Sequence, residues 1–188
     1  EIIAILSRFA QAVQKVQDSK SGLWFDILDK PTGKGNYLEA SASSMFVYTF
    51  AKAVRNGWLP ASYFIVADKG YKGIQKEFIE QRAAGKVNLK GTVEVSGLGG
   101  KPYRDGSYEY YVSEKVITND PKGVGAFLLA ANEMEIAATP KIGKGKTVVL
   151  DSYFNNETKK DQSGNDQSWH YKWDERPNSG FSFWGEQF

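Results

Sequence analysis

Ser41-Ala-Ser-Ser-Met45-Phe-Val-Tyr-Thr-Phe50-Ala-Lys-Ala-Val-Arg55-Asn-Gly57 is the stretch that decides the fold. Its apolar residues Met45, Phe46, Val47, Tyr48, Phe50, Ala51, Ala53 and Val54 would lie nearly all round a helix over 41–56, the mark of a helix with neighbours on most sides. Ser41 is placed to cap it and Ser44 falls in its first turn. Asn56-Gly57 stops it, and Pro60 opens the next helix, where a missing N–H costs nothing.

Outward from this inner helix, the pattern remains mainly helical. Upstream, Ile2, Leu6, Phe9, Val13 and Val16 recur at spacings of 4, 3, 4 and 3, which predicts an amphipathic helix over 2–17 that begins in mid-element, with no initiator Met ahead of it. The start reads as cut. Downstream, Tyr63, Ala67, Tyr71, Ile74 and Phe78, with Asp68, Lys69, Lys72, Gln75 and Lys76 opposite, predict a helix over 60–82 with one wet face. Lys86 to Val95 alternates around Lys90-Gly91 and reads as a small hairpin. Tyr108, Tyr110 and Tyr111 read as an extended segment. Asp120-Pro121 then opens a helix over 121–135 carrying Val124, Phe127, Leu128, Ala131 and Met134. Helix, long polar loop, helix recurs in style, as in toroids where outer and inner helices alternate.

After about Ala138 the composition changes. Residues 139–146 read as a linker and Thr147 to Asp151 as a short buried strand. Residues 157–168 are polar, and Asn178 to Gly185 resembles the opening of a helix. The expected division is therefore 1–138 and 139–188, the second part being the start of another, α/β-type domain.

Composition bounds the chemistry. The chain has 188 residues, 41% hydrophobic and 24% charged, room for one ordinary domain and part of another. Twenty-four Lys and Arg against 22 Asp and Glu give +2, too balanced for a protein that neutralises many phosphates, so nucleic acid is not an expected partner. No apolar stretch approaches the roughly 20 residues of a bilayer crossing, and no membrane partner is expected. The absence of Cys removes thiolate metal sites and Cys nucleophiles and leaves the compartment open. One histidine, His170 between Trp169 and Tyr171, rules out a multi-His metal cage, so no metal or cofactor is expected and acid–base chemistry falls to carboxylates. Five Trp, 10 Tyr and 11 Phe suit a sugar cleft or an aromatic core equally.

Three blocks carry a resemblance. Gly22-Leu-Trp-Phe-Asp-Ile-Leu-Asp29, followed by Gly35-Asn-Tyr-Leu-Glu-Ala-Ser-Ala-Ser-Ser-Met-Phe-Val-Tyr48 and Ala51-Lys-Ala-Val-Arg-Asn-Gly-Trp-Leu59, is similar to the unsaturated rhamnogalacturonyl and glucuronyl hydrolases of glycoside hydrolase family 105. Gly97-Leu-Gly-Gly-Lys-Pro-Tyr-Arg-Asp-Gly-Ser-Tyr-Glu-Tyr-Tyr111 and Asn119-Asp-Pro-Lys-Gly-Val-Gly-Ala-Phe-Leu-Leu-Ala-Ala-Asn-Glu-Met134 resemble later blocks of that family, in the same order. The match covers roughly residues 1 to 137 and looks like the later half of a barrel of twelve helices. The tail resembles the beginning of a domain that some bacterial members append.

The resemblance implies a mainly α chain: part of an (α/α)₆ toroid with a small β-hairpin and a short β-containing tail. It also implies hydration of the C4=C5 bond that a lyase leaves on a terminal uronic acid, with one aspartic acid serving as acid and base in turn. The family's catalytic Asp, its accompanying His and an Arg/Trp sugar-binding block lie upstream of Ile2, so no catalytic residue is assigned here and the missing N-terminal half is an expected partner. Trp24-Phe25-Asp26 imitates a Trp-x-Asp motif, but its neighbours identify the Gly-Leu-Trp block, where the family more often carries Gln than Asp26.

The residues that remain suit binding of an unsaturated uronic-acid oligosaccharide. Trp24 either stacks on a sugar or packs between helices. Tyr37, Glu39 and Ser41 either hold sugar hydroxyls or cap the inner helix. Tyr103, Arg104 and Asp105 offer a guanidinium fork for a uronate carboxylate, or else an Arg104–Asp105 loop clasp. Gly97-Leu-Gly-Gly lacks both the Lys-Ser/Thr and the strand-to-helix context of a phosphate loop. A rival reading keeps the helical blocks without the chemistry, as a non-catalytic carbohydrate-binding or protein-interaction module.

Overall fold

The computed structural model describes residues 1–138. The readings of 139–146, 147–151, 157–168, 178–185 and His170 lie outside the described residues. Five helices and four short strands follow in order: α1 (Ile2–Lys15), α2 (Ala40–Arg55), α3 (Phe64–Glu77), β1 (Ile79–Gln81), β2 (Val87–Leu89), β3 (Thr92–Val93), α4 (Tyr108–Ser113), β4 (Val116–Ile117) and α5 (Pro121–Ala138). The expected mainly α class with a little β holds.

The inner helix is where the sequence puts it. α2 buries Ser43, Ser44, Val47, Phe50, Ala51 and Ala53 and packs against α5 on one side and α3 on the other. Trp24 fills the space beside it. That ring is fully buried, meets Phe46 edge-on with centroids 5.2 Å apart and stacks on Phe50 at 6.5 Å. Its indole N–H donates to Val13 O at 2.9 Å, so the polar handle of a buried Trp is satisfied. α3 approaches closely because it presents glycine: a Cβ on Gly73 would sit 2.3 Å from Ser21 O and 2.9 Å from Leu23. Between α2 and α5, Arg55 forks onto Glu133 through Nε at 2.8 Å and a terminal nitrogen at 2.9 Å.

α1 ends two residues earlier than its periodicity predicts because Gln17 turns back to donate to Gly22 O and Val66 O, at 2.7 and 3.0 Å. Of its predicted apolar stripe, Val13 is buried, whereas Ile2 is 81% exposed. Helix α3 is shorter than the predicted 60–82. Residues 61–63 form a 3₁₀ turn, and the chain leaves the helix at Phe78, whose carbonyl accepts from Lys90 N at 2.9 Å. Ile79–Gln81 is therefore a strand.

The predicted hairpin is corrected in its pairing. β2 pairs antiparallel with β1, and β3 with β4. Gly91 between them has φ +84°, with Phe78 against it, and its carbonyl accepts from Ala40 N at 2.8 Å. Lys90-Gly91 is thus a crossing between two sheets, not a hairpin turn. The tyrosine segment is also corrected: Tyr108–Ser113 is a short helix opened by Ser107, whose Oγ accepts from Tyr110 N at 3.2 Å.

Candidate functional site

Two short backbone runs on either side of the polar loop build the site. Glu39 N donates to Trp24 O at 2.9 Å, Asp26 N to Tyr37 O at 2.8 Å, and Phe25 pairs with Leu38 between them. Facing residues of an antiparallel pair share a side, and the side alternates along the strand. Trp24, Glu39, Asp26 and Tyr37 therefore lie on one face, and Phe25 and Leu38 on the other. Phe25 lines a separate shallow groove of about 350 Å³ with Val16, Leu28 and Pro31.

The inner half of this face is committed to the fold. Trp24 is core, with Phe46 and Phe50 on its ring, so packing and not sugar stacking is its role here. Glu39 is 1% exposed. Its carboxylate accepts from Ser41 Oγ at 2.9 and 3.0 Å, from Val93 N at 3.0 Å and from Ala42 N. Glu39, and not Ser41, is the cap of α2. Ser41 is buried and serves Glu39, and Ser44 Oγ donates to Ala40 O at 2.7 Å.

The outer half is not committed. Asp26 and Tyr37 are half-buried; Asp26 Oδ2 and Tyr37 Oη are withdrawn from water without a hydrogen-bond partner. Burial first, and the Glu39 carboxylate second, push the Asp26 carboxyl up to about 6. Burial also raises the Tyr37 phenol, followed by Asp26, Glu39 and Glu114.

A second cluster forms around Arg104. Gly99 and Arg104 exchange backbone hydrogen bonds of 2.8 and 3.1 Å, and the Arg104 guanidinium lies along Gly97 and Gly100. A Cβ at Gly100 would come within 2.9 Å of it. Arg104 Nε is buried and unpartnered. The loop clasp of the sequence reading does not form, because the Asp105 carboxylate accepts from Ser107 N at 2.9 Å, and that hydrogen bonding lowers its carboxyl. Tyr103 is 79% exposed.

Helix α4 ties the pieces together. Tyr108 Oη donates to Lys34 O at 3.1 Å, Tyr110 Oη to Gly97 O at 2.8 Å. Glu114 just beyond it acts electrostatically on both Tyr37 and Tyr110, and Arg104 acts on Tyr110. Tyr37 and Glu39 thus share one face, to which Arg104 is linked only through Tyr110 and Glu114, while Trp24 and Ser41 are drawn into the core. Sequence reasoning set Asp26 aside, allowed at most some of Tyr108, Tyr110 and Tyr111 to face a ligand, and missed Glu114. The alternation across 24–26 and 37–39 carried the signal for Asp26; nothing local carried it for Glu114. Among the described residues, no three His, Cys, Asp or Glu side chains are gathered to hold a metal ion.

Comparison with known proteins places this arrangement. Residues 1–138 match the model of Glycosyl Hydrolase Family 88. The chain is similar to a family 105 glycoside hydrolase of C. acetobutylicum ATCC 824, with 50% identity and a TM-score of 0.70 over 71% of this chain and 37% of that one. A possible member of family 105 from Salmonella enterica serovar Paratyphi A shares 29% identity at a TM-score of 0.61, over 73% of this chain and 32% of that one. The 24.9 kDa protein in picA locus of Rhizobium radiobacter is 37% identical over 128 residues, 65% of this chain. The chain spans 55% of that relative's length.

Proposed function

Because the chain belongs to glycosyl hydrolase family 88, we propose that it contributes part of the substrate cleft of an enzyme that hydrates the 4,5-double bond of unsaturated uronyl oligosaccharides of the rhamnogalacturonan type, the products of polysaccharide lyases. The proton donor and its histidine come from the N-terminal part of the toroid, with which this chain forms the complete barrel, and residues 139 onward begin a second domain. The observation that carries the reading is Arg104: a guanidinium lying beside Gly97 and Gly100, with Nε unpartnered and Asp105 engaged elsewhere. Its chain neighbour Tyr103 is exposed, and Tyr110, on which it acts electrostatically, is pinned to Gly97 O.

A planar fork of this kind receives a carboxylate in two parallel hydrogen bonds. The uronate carboxyl is the group it would hold, and holding it orients the adjacent C4=C5 bond toward the proton donor. The exposed Tyr103 ring suits a C–H face of the sugar.

In the enzyme that carries this chain, Arg104→Lys is expected to weaken binding of a Δ4,5-unsaturated galacturonyl-rhamnose disaccharide by roughly 1 to 3 kcal/mol, since an ammonium keeps the charge and loses the fork. An unchanged Kd with a lowered Tm would make Arg104 a structural loop residue. The 188-residue chain alone is expected to leave the double bond intact, followed by its far-ultraviolet absorbance. Turnover above background would assign the chemistry to a carboxylate of this chain, Asp26 or Asp105 first.

A further inference from the structure

The loop that carries Arg104 leaves room for its guanidinium at one glycine and is braced from outside at another. Gly99 and Gly100 hold φ of +71° and +83°, a left-handed turn that glycine adopts without steric cost. The turn brings Gly99 opposite Arg104, and the two exchange backbone hydrogen bonds of 2.8 and 3.1 Å. A Cβ at Gly100 would come within 2.9 Å of a terminal guanidinium nitrogen, whereas one at Gly99 would meet nothing within 4 Å. The Gly97 end is held by Tyr110, which is itself anchored twice. Its backbone N–H donates to the Ser107 cap at 3.2 Å and its phenol donates to Gly97 O at 2.8 Å. Ser107 N engages the carboxylate of Asp105, so the acid next in the chain does not occupy the fork.

We propose that Tyr110 is the positioning residue of the Arg104 fork and that Gly100 decides whether the fork recognises a carboxylate. The proposal rests on the uronide reading above and concerns how the guanidinium is aimed, which that reading leaves open. Two parallel hydrogen bonds to a carboxylate need the guanidinium plane in one orientation, and a recognition group must be held within about 0.5 Å and 10–20° of its productive position. A long arginine side chain does not supply that by itself. The missing Cβ at Gly100 gives the terminal nitrogen its place, and the phenol of Tyr110 fixes the Gly97 strand beside it. Alanine at 100 turns the guanidinium away, and phenylalanine at 110 releases Gly97. Both changes keep the charge at 104, so a loss of binding reports direction and not charge.

The test measures Kd by calorimetry in the enzyme that carries this chain. Its ligands are the Δ4,5-unsaturated galacturonyl-rhamnose disaccharide and the methyl ester of that disaccharide, which keeps the sugar and removes the anion. With the acid, Tyr110→Phe should bind roughly three- to tenfold more weakly, and Gly100→Ala roughly tenfold or more, the scale of one hydrogen bond to a charged group. With the ester, neither should move Kd by more than about twofold. In an Arg104→Lys background both should lose their effect on the acid, because an ammonium has no plane to aim. Gly99→Ala controls for backbone strain: it places alanine at a left-handed φ without touching Arg104. It should lower Tm, as Gly100→Ala does, and weaken binding far less.

Three results overturn the positioning: Gly99→Ala and Gly100→Ala weakening the acid equally, Tyr110→Phe weakening acid and ester alike, or losses that add to that of Arg104→Lys. In each case the loop, and not the aim of the fork, would account for the loss. Failure of the underlying reading looks different. A wild type that binds acid and ester equally takes the carboxylate away from Arg104 and overturns both. A wild type that prefers the acid, with Tyr110→Phe and Gly100→Ala at the wild-type Kd, keeps the uronate at Arg104 and overturns the positioning alone.

Discussion

Glu39 is a carboxylate taken almost wholly out of water, and it is retained because every direction it offers is answered. Ser41 Oγ, Ala42 N and Val93 N all donate to it, joining the first turn of α2 to strand β3 across more than fifty residues of chain. Hydrogen bonds to a charged group are the stronger kind, and removing the acceptor strands two backbone donors, Val93 N buried and Ala42 N partly so. Glu39→Ala should therefore destabilise the chain by about 2–4 kcal/mol, read as a lower urea midpoint. Glu39→Gln should cost nearly as much, because its amide N–H₂ would face backbone N–H groups. A loss below about 0.5 kcal/mol in both would mean these donors find other partners. That Glu39 caps the helix, and Ser41 does not, was beyond local reading: Ser, Asp and Asn lead the cap preferences, and the choice was made by Val93, which sequence alone does not bring near.

At the scale of elements, the packing of α2 on α5 turns on Arg55 and Glu133. The Glu133 side chain is 5% exposed and that of Arg55 39%, so loss of the arginine leaves a carboxylate buried and unpaired, whereas the guanidinium itself is partly solvated. Arg55→Ala is expected to cost about 1–3 kcal/mol, discounted from a fully buried pair for that solvation. Adding Glu133→Leu to Arg55→Ala should restore part of the loss, because the apolar replacement removes the orphaned charge. Additive losses in the double variant, measured by chemical denaturation, would show that the pair is not coupled. The helices were legible because their 3.6-residue periodicity survives in the sequence, and α2 and α5 fall within a few residues of expectation. The strands were legible as strands but not in their pairing. A two- or three-residue strand holds too few side chains to specify its partner, and here the partners were set by Phe78 folding over Gly91 and by Asn119, whose Oδ1 accepts from Leu89 N at 2.9 Å.

For the whole molecule, half of the large apolar residues left in water among the described residues lie on the first and last described helices. Ile2, Ile3 and Ile5 on α1, and Leu128 and Leu129 on α5, are each at least half exposed, and Met45 of α2 is 48% exposed. Met45 borders a shallow groove of about 310 Å³ with Tyr48, Ala126 and Leu129. Apolar surface of this kind is seldom left in contact with water, so the 188-residue chain is expected to associate in solution. Light scattering should report a mass above the monomer, and a stable monomer at micromolar concentration with no other chain present would contradict this. By itself the sequence determined the helical class, the identity of the inner helix and the family blocks, since hydrophobic periodicity, turn formers and block order are all local or linear properties of the chain. Only the tertiary structure decided that Trp24 belongs to the core, that Glu39 spends its charge on the fold, and that Asp26, Tyr37 and Arg104 keep unpaired polar atoms. Burial and hydrogen-bond satisfaction depend on which distant residues arrive beside a side chain, and no spacing along the chain records that.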